Sequence, residues 1–277
     1  MAPNEDMIAF WNGPGGEAWA RNADEQDREL QALGDAGLEA LAAREGESVL
    51  DVGCGPGTTT LALARLVGVT GRVVGVDISA PLLDVGRHRA AGMANVDFVE
   101  ADAQSAIPPG APFDAVFSRF GVMFFDDPRA AFANLHAATA PDGRLAFVCW
   151  QDAEVNPWFR VTMAAIADLP GVDVPPPPHP DAPGPFSLAV PERVHEILAA
   201  GGWRDVDVQA HEDEIVDDLD RRAEFTLRQG PAARALAAAD DDVRAAALVR
   251  VRDAFAHESR DGVVHLRRAA WIVTARA

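Results

Sequence analysis

The chain has 277 residues, with 24 basic and 43 acidic side chains and a formal net charge of −19. Such an acidic protein is a poor partner for nucleic acid or an anionic membrane surface. Its length suits one large α/β domain with additions or two small domains, and a 48% hydrophobic content allows a sizeable core. No apolar run reaches the about 18 residues typical of a membrane span. Because the start is polar and acidic, without a secretion signal, we expect a cytoplasmic protein with no membrane span.

The types of polar residue in the chain limit which side chains can act as catalytic bases or metal ligands. Every basic residue is Arg, while Lys and Tyr are absent, as is typical of a high-GC bacterium. Neither Lys nor Tyr can therefore act as a catalytic base. The two cysteines, Cys54 and Cys149, fit no zinc-binding spacing and form no disulfide framework. Both are expected to be small buried residues.

The chain begins with an aromatic and glycine-rich segment. Trp11 and Trp19 flank a predicted turn that contains Pro14, ahead of a predicted helix over 24–43. Exposed Trp is costly, so we expect both indoles to pack against other parts of the protein.

The central motif follows. Residues 49–52 predict a buried strand, and Gly53, Gly55 and Gly57 come next at alternate positions, before a helix that Thr58 can cap. Glycines in such a turn let backbone N–H groups approach a ligand closely. The spacing is Gly-x-Gly-x-Gly, whereas a dinucleotide fingerprint requires Gly-x-Gly-x-x-Gly. The second strand, 72–77, ends in Asp77, whose carboxylate can accept hydrogen bonds from ribose hydroxyls.

Strands and helices then alternate. Further strands are predicted at 95–100, 113–118 and 144–150, with helices beginning near Ser79 and Pro128 and a turn at 141–143. This alternation predicts right-handed crossovers and a parallel sheet.

The last third is less regular. Helices are predicted at 156–169 and 191–200, strands at 203–208 and 270–275, and a helical region at 217–259. The proline-rich loop 170–186 is either a lid or a plain linker.

The glycine loop and Asp77 together resemble motif I of the class I S-adenosylmethionine (SAM) dependent methyltransferases. The segment after the fourth strand, 119–128, resembles the ubiquinone/menaquinone-biosynthesis type of these enzymes. The resemblance implies a Rossmann-like, seven-stranded, mostly parallel α/β sheet with helices on both faces and an α-helical cap. It implies a helical segment, 1–45, that closes the site, although that segment could equally be a hydrophobic staple outside the fold. The SAM-binding core would be 46–216, the cap 217–259 and the last core strand 260–277.

The resemblance also implies a cofactor site. Asp77 would hold the ribose, Asp102 the adenine amino group, and the backbone N–H of Ala103 a ring nitrogen. The predicted cofactor-binding residues are Asp51, Gly53, Cys54, Gly55, Gly57, Asp77, Ile78, Asp102, Ala103, Ser118 and Arg119.

The acceptor site is less sharply indicated. Aromatic residues suit a planar, apolar acceptor and can lie near a sulfonium, and we expect them at Trp11, Phe120, Phe124, Trp150 and Trp158. Core packing explains each of them equally well. No catalytic residue is assigned, because methyl transfer from SAM needs mainly positioning. The base candidates are His88, His136, His179, His195, His211, His257 and His265, none within a motif. No metal is expected, and the oligomeric state stays open.

The sequence therefore favours a SAM-dependent methyltransferase acting on a small, largely apolar molecule such as a secondary metabolite or a quinone-like ring. One alternative is a SAM-binding protein of the same fold with a non-methylating or regulatory role. The other is a nicotinamide-dependent oxidoreductase, which the glycine spacing disfavours.

Overall fold

The computed structural model describes residues 4–172, 182–228 and 230–277. The chain forms two compact units. The first consists of Met1–Trp150, Ala182–His211 and Ala270–Ala277, and the second of Gln151–Asp181 and Glu212–Ala269. Most of the proline-rich loop lies outside the described residues. The predicted cap, 217–259, falls within the second unit, which also takes in the helix after the fifth strand.

Helices fill much of the described chain. They are α1 (Glu5–Asn12), α2 (Pro14–Arg21), α3 (Ala23–Glu29), α4 (Gln31–Leu41), α5 (Thr58–Val67), α6 (Ala80–Arg89), α7 (Pro128–Ala137), α8 (Pro157–Ile166), α9 (Pro191–Ala200), α10 (Leu219–Arg228), α11 (Gly230–Ala235) and α12 (Asp241–Ala256). In the part of the chain that the structure describes, no helix is both long and apolar enough to cross a bilayer.

The strands form one sheet. They are β1 (Ser48–Val52), β2 (Arg72–Asp77), β3 (Val96–Glu100), β4 (Phe113–Arg119), β5 (Thr139–Trp150), β6 (Arg204–Asp218), β7 (Ser259–Arg260) and β8 (Val263–Arg276). Their order is β3-β2-β1-β4-β5-β8-β6, with β7 paired to β8. Strands β1 to β5 run parallel, and β8 is antiparallel to β5. The predicted Rossmann-like, mostly parallel sheet is confirmed.

The predicted count of seven strands is wrong, because the residues that the structure describes form a sheet of eight. The additional strand is β7, a two-residue strand that pairs with the start of β8. Asp261 and Gly262 connect them with φ values of 53° and 77°. Positive φ at both central positions is the geometry of a tight hairpin turn, which an Asp-Gly pair favours. The Asp-Gly pair in the sequence is therefore a local signal for this hairpin.

Three predicted segments differ in extent, and the first is the last strand, β8, which begins at Val263 although the prediction began it at 270. Strand β6 continues to Asp218, although the prediction ended it at 208, because its acidic residues pair with arginines: Glu212 with Arg267 and Asp213 with Arg268. The predicted turn at 141–143 lies inside β5 as an irregularity in its register with β4. The local hydrophobic pattern predicts neither the extension of β6 nor the continuation of β5 through residues 141–143.

The amino-terminal segment is more helical than predicted. The glycine-rich stretch forms α2, whose first residue is Pro14, a position suited to the fixed φ of proline. The predicted helix 24–43 is instead two helices, α3 and α4, which meet at Leu30.

The core of the first unit explains why the carboxyl ends of the strands are precisely placed. Apolar side chains of the central strands, such as Val49 and Phe117, pack against helices α4 and α5 without solvent exposure, and Leu63 is a buried partner from α5. Fully burying each such side chain contributes about 1.5–3 kcal/mol. The loops after β1, β2 and β4 are thus carried on a rigid platform.

Candidate functional site

The loop after β1 is built from glycines in a conformation that other residues rarely adopt. Gly53, Gly55 and Gly57 have φ values of 63°, 53° and 82°. A Cβ on Gly53 would lie 2.7 Å from the Cα of Gly121, in the loop after β4, and one on Gly57 would lie 2.6 Å from the Phe98 ring. The first and third glycines are therefore required by packing and backbone geometry together.

Gly55 differs from Gly53 and Gly57, because no atom of the described residues, apart from its own chain neighbours, lies within 4 Å of the position that its Cβ would occupy. Its backbone N–H donates to Asp77 Oδ2 over 2.8 Å. The loop therefore presents bare backbone to open space beside a carboxylate, which is the arrangement that a closely bound ligand needs.

Asp77 ends β2 and is held by backbone donors. Its Oδ1 accepts from the N–H of Ser79 over 2.9 Å, in addition to the bond from Gly55. Burial raises the pKa of Asp77, and the N–H groups of Ser79, Gly55 and Ile78 oppose that rise. A carboxylate has about four acceptor positions, so Asp77 keeps acceptor capacity for a ligand hydroxyl beside its backbone donors.

Asp51 lies beneath the same loop and is completely buried. Its Oδ2 accepts from the hydroxyls of Thr59 (2.8 Å) and Thr60 (2.6 Å). Its Oδ1 is buried without a hydrogen-bond partner among the described residues. Burial raises the pKa of Asp51 to about 6, although the two hydroxyls and the Arg119 guanidinium lower it. An unpartnered carboxylate oxygen is suited to a cationic ligand group, because such a group would offset the desolvation cost.

Asp102 follows β3 by two residues. Its Oδ1 accepts from the Gln104 N–H over 3.0 Å and lies 3.4 Å from the Asn4 amide nitrogen. The neighbouring Ala103 is buried, and its carbonyl accepts from Asn134 in α7 over 2.9 Å. The loop is thus fixed on both sides.

Helix α1 contacts the ends of β2 and β3, which sequence reasoning did not predict residue by residue. Asn12 donates to the Ile78 carbonyl over 2.7 Å and accepts from the Ala80 N–H over 3.0 Å. Ser79 donates its hydroxyl to the Trp11 carbonyl over 2.6 Å. These bonds attach the carboxyl end of α1 to the residues just after Asp77.

A charged network attaches α3 to the glycine loop. Asp27 pairs with Arg119 over 3.0 Å and with Arg89 over 2.7 Å. Arg89 also donates to the Pro56 carbonyl and the Thr58 hydroxyl, each over 3.1 Å. Sequence reasoning missed Asp27 and Arg89, because only the tertiary contact distinguishes them from surface charges.

The remaining predicted cofactor residues lie at the carboxyl ends of three strands: Cys54 after β1, Ile78 after β2, and Ser118 and Arg119 at the end of β4. Cys54 is buried within the glycine loop, and burial raises the pKa of its thiol well above the usual range. Ser118 is fully buried and accepts from the Gly121 N–H over 3.2 Å. Thus the structure brings the loops after β1, β2 and β4 together, as predicted, while a ligand role for each residue stays a prediction.

Four of the five predicted acceptor residues form two aromatic pairs in the first unit. Trp11 contacts Phe124 edge-on with ring centroids 5.5 Å apart. Phe120 stacks on Trp150 at 4.2 Å, although its φ of 61° is unusual for a bulky residue. Trp158 belongs to the second unit, where it packs against that unit's core.

The structure adds no candidate base. Among the described residues, no group of three or more His, Cys, Asp or Glu side chains converges on a possible metal position. The predicted base candidate His179 lies outside the described residues. His265 pairs through Nδ1 with Glu214 Oε2 over 3.1 Å, and both residues belong to the second unit. The catalytic residue is left unassigned.

Together these features define a class of protein: a parallel α/β domain with a glycine loop and two acidic residues at the carboxyl ends of its first two strands, which is where ligands bind in such folds. Residues 49–143 match the family described as "Methyltransferase domain". A demethylmenaquinone methyltransferase of Staphylococcus aureus is 34% identical over 117 residues, covering 42% of this chain and 48% of that protein. Residues 49–143 therefore contain a methyltransferase domain, in agreement with the predicted resemblance to class I SAM-dependent methyltransferases. The match spans about half the length of the curated relative.

Solved structures share the fold. The YcgJ protein of Bacillus subtilis has 20% identity and a TM-score of 0.55, covering 86% of this chain and 95% of that one. A Haemonchus contortus phosphoethanolamine N-methyltransferase 2 in complex with SAM has 19% identity and a TM-score of 0.55, covering 88% and 52%. The [4+2]-cyclase SpnF has 22% identity and a TM-score of 0.52, covering 88% and 79%.

Proposed function

We propose that this protein is a SAM-dependent methyltransferase that acts on a small, largely apolar acceptor. The observation that carries the proposal is the arrangement of Gly55, Asp77 and Asp51. An open backbone position adjoins one carboxylate with spare acceptor capacity and a second with an unpartnered buried oxygen. These features fit the ribose hydroxyls and the ammonium group of SAM.

The other proposed cofactor contacts are also assigned from the positions of residues at the carboxyl ends of the strands. Asp102 and the backbone of Ala103 would hold the adenine, because both lie in the loop after β3. Arg119 would remain in its ion pair with Asp27, fixing the loop after β4 against the glycine loop. The proposal assigns no ligand contact to the thiol of Cys54, whose buried position suits packing.

Catalysis in this proposal is mainly positional. SAM supplies a methyl group activated by its sulfonium. The chain binds and orients both reactants and excludes water, which can supply a large part of the rate enhancement without a catalytic side chain. If the acceptor atom must lose a proton, a base would help.

The pair Trp11–Phe124 and the pair Phe120–Trp150 support an apolar, planar acceptor. Aromatic faces bind flat apolar rings and attract cations such as a sulfonium. The name of the Staphylococcus aureus relative points in the same direction. A quinone-like ring or a secondary metabolite is therefore the acceptor class that we propose.

A second function on the same site is SAM binding without methyl transfer. The fold likeness to a protein named a [4+2]-cyclase supports keeping this alternative. A nicotinamide-dependent reaction is disfavoured, since Thr58 occupies the position of the third glycine in the dinucleotide fingerprint.

The proposal is tested first by calorimetric titration of the full chain with S-adenosylhomocysteine (SAH), the demethylated product, and with NADH as the control. Saturable SAH binding without NADH binding is expected, and folded protein that binds no SAH would refute the proposal. Host extract incubated with the enzyme and deuteromethyl-labelled SAM is then analysed by mass spectrometry. A labelled product identifies the acceptor, whereas tight SAM binding without any labelled product favours the non-methylating alternative.

A further inference from the structure

Asn4 has a buried polar atom that the fold does not use. The residue is 6% exposed, and its Nδ2 donates to Asp102 Oδ1 over 3.4 Å. Its Oδ1 is buried and accepts no hydrogen bond from any residue that the structure describes. A buried amide oxygen without a donor costs free energy, so its retention points to a ligand.

The local role expected of this residue is also absent. Asn4 immediately precedes α1, where asparagine usually caps the helix by accepting a backbone N–H. Here the side chain makes no capping bond, and the backbone has a φ of 62°. Asparagine tolerates this left-handed conformation. The backbone thus directs the side chain away from its own helix and to Asp102.

The position of Asn4 is fixed from the other end of the helix as well. Asn12, at the carboxyl end of α1, bonds to Ile78 and Ala80 just after β2. Asn4 therefore lies at the end of β3 on a helix that is anchored beside Asp77. This is where the proposed function puts the adenosine of SAM.

The carboxylate of Asp102 dictates which way the Asn4 amide faces. An ionised carboxylate only accepts hydrogen bonds, so Asn4 must present Nδ2 to it and Oδ1 elsewhere. With amide bond lengths of about 1.2 and 1.3 Å, Asn4 Oδ1 lies within about 5.6 Å of Asp102 Oδ1. One amino nitrogen bonded at about 2.9 Å to each of two oxygens can bridge such a separation.

We propose that Asn4 is an adenine-specificity residue: its Oδ1 accepts one hydrogen of the adenine 6-amino group, while Asp102 accepts the other. The inference rests on the proposed SAM site and extends it to a residue outside the methyltransferase motifs. The competing explanation is that Asn4 only attaches α1 to the loop after β3 and contacts no ligand.

The test combines one variant with one altered ligand. Asn4→Gly removes the side chain while keeping a residue that adopts positive φ without strain. The ligand probes are SAH and its 6-deamino analogue, in which adenine is replaced by purine, and both are titrated calorimetrically into the full chain. Two lost hydrogen bonds should weaken the analogue about 100-fold in the wild type, and one lost bond about 10-fold in Asn4→Gly.

The titrations distinguish a contact between Asn4 and the adenine from a purely structural role of Asn4 in attaching α1. If Asn4 only attaches α1, Asn4→Gly weakens both ligands by the same factor and the preference for SAH is unchanged, which overturns the proposal. Asn12→Ala, which loosens α1 without touching the adenine, is the matched control and should leave the preference intact. If Asn4→Gly does not fold, the wild-type ratio decides alone, and a loss of about 10-fold or less contradicts two acceptors. Failure of wild-type protein to bind SAH would instead refute the proposed function.

Discussion

The Asp51 carboxylate predicts that SAH affinity depends on pH. In the folded chain its pKa is raised from 3.8 to about 6, because the group is completely buried. A raised carboxyl pKa means that the folded state holds a proton that the unfolded state has lost. Stability therefore falls as pH rises from the ordinary pKa to the folded one, and the full penalty applies above that value. The gap corresponds to about 3 kcal/mol.

A cationic ligand group beside Asp51 Oδ1 would reverse this effect. It would favour the ionised carboxylate, so binding below the folded pKa must first release a proton. With a pKa of about 6, the ionised fraction at about pH 5 is roughly one tenth, and SAH affinity should fall about 10-fold between about pH 7.5 and pH 5. The ammonium and carboxylate of SAH itself do not change charge in this range.

The assay is calorimetric titration of SAH at both pH values with wild type and Asp51→Asn. The variant cannot ionise, so it should bind more weakly at the higher pH and show little further change at the lower one. The variant keeps the rest of the chain unchanged, so a pH effect that arises elsewhere appears equally in both proteins. Wild-type affinity that varies less than about twofold, or an equal pH dependence in the variant, would show that no ligand charge adjoins Asp51.

Three further predictions use the same site. Asp77→Ala should weaken SAH binding by about 1–3 kcal/mol through lost hydrogen bonds to a charged group, and unchanged affinity in titration would remove this residue from the site. Gly53→Ala should lower the thermal midpoint strongly, because its methyl group meets backbone. Gly55→Ala should fold with a loss of only about 1 kcal/mol for its positive φ and yet bind SAH poorly. Wild-type SAH affinity in Gly55→Ala would contradict a ligand position beside this loop. Asp27→Asn should cost about 2 kcal/mol in urea unfolding, since the partly buried Arg119 loses its carboxylate partner and Arg89 keeps only Asp24. The exposed control Asp84→Asn should cost under about 0.5 kcal/mol, and equal costs would show that the Asp27 network is not stabilising.

The parts of the site that follow directly from local sequence were predicted well. Glycines at alternate positions after a buried strand indicate a turn with positive φ, and an acidic residue after an apolar run indicates the carboxyl end of a strand. Gly53, Gly57 and Asp77 therefore lie where their spacing indicated. Strand-helix alternation likewise predicted the parallel sheet.

Features that depend on contacts between residues far apart in the chain could not be predicted from local sequence. The extension of β6 depends on pairing acidic residues with arginines some 50 positions away, as Arg267 and Glu212 show. The assignment of Trp158 to the second unit depends on which residues surround it, and an aromatic side chain looks the same in a core and in a pocket.

The sequence by itself determined the class of fold and the crevice, because glycine spacing, hydrophobic periodicity and a terminal acid act over a few residues. Only the tertiary structure decided that Asn4 meets Asp102 and that Asp27 joins Arg89 to Arg119. Those contacts join positions separated by 62 to 98 residues. Burial and charge pairing across such separations are properties of the assembled fold, which no local pattern contains.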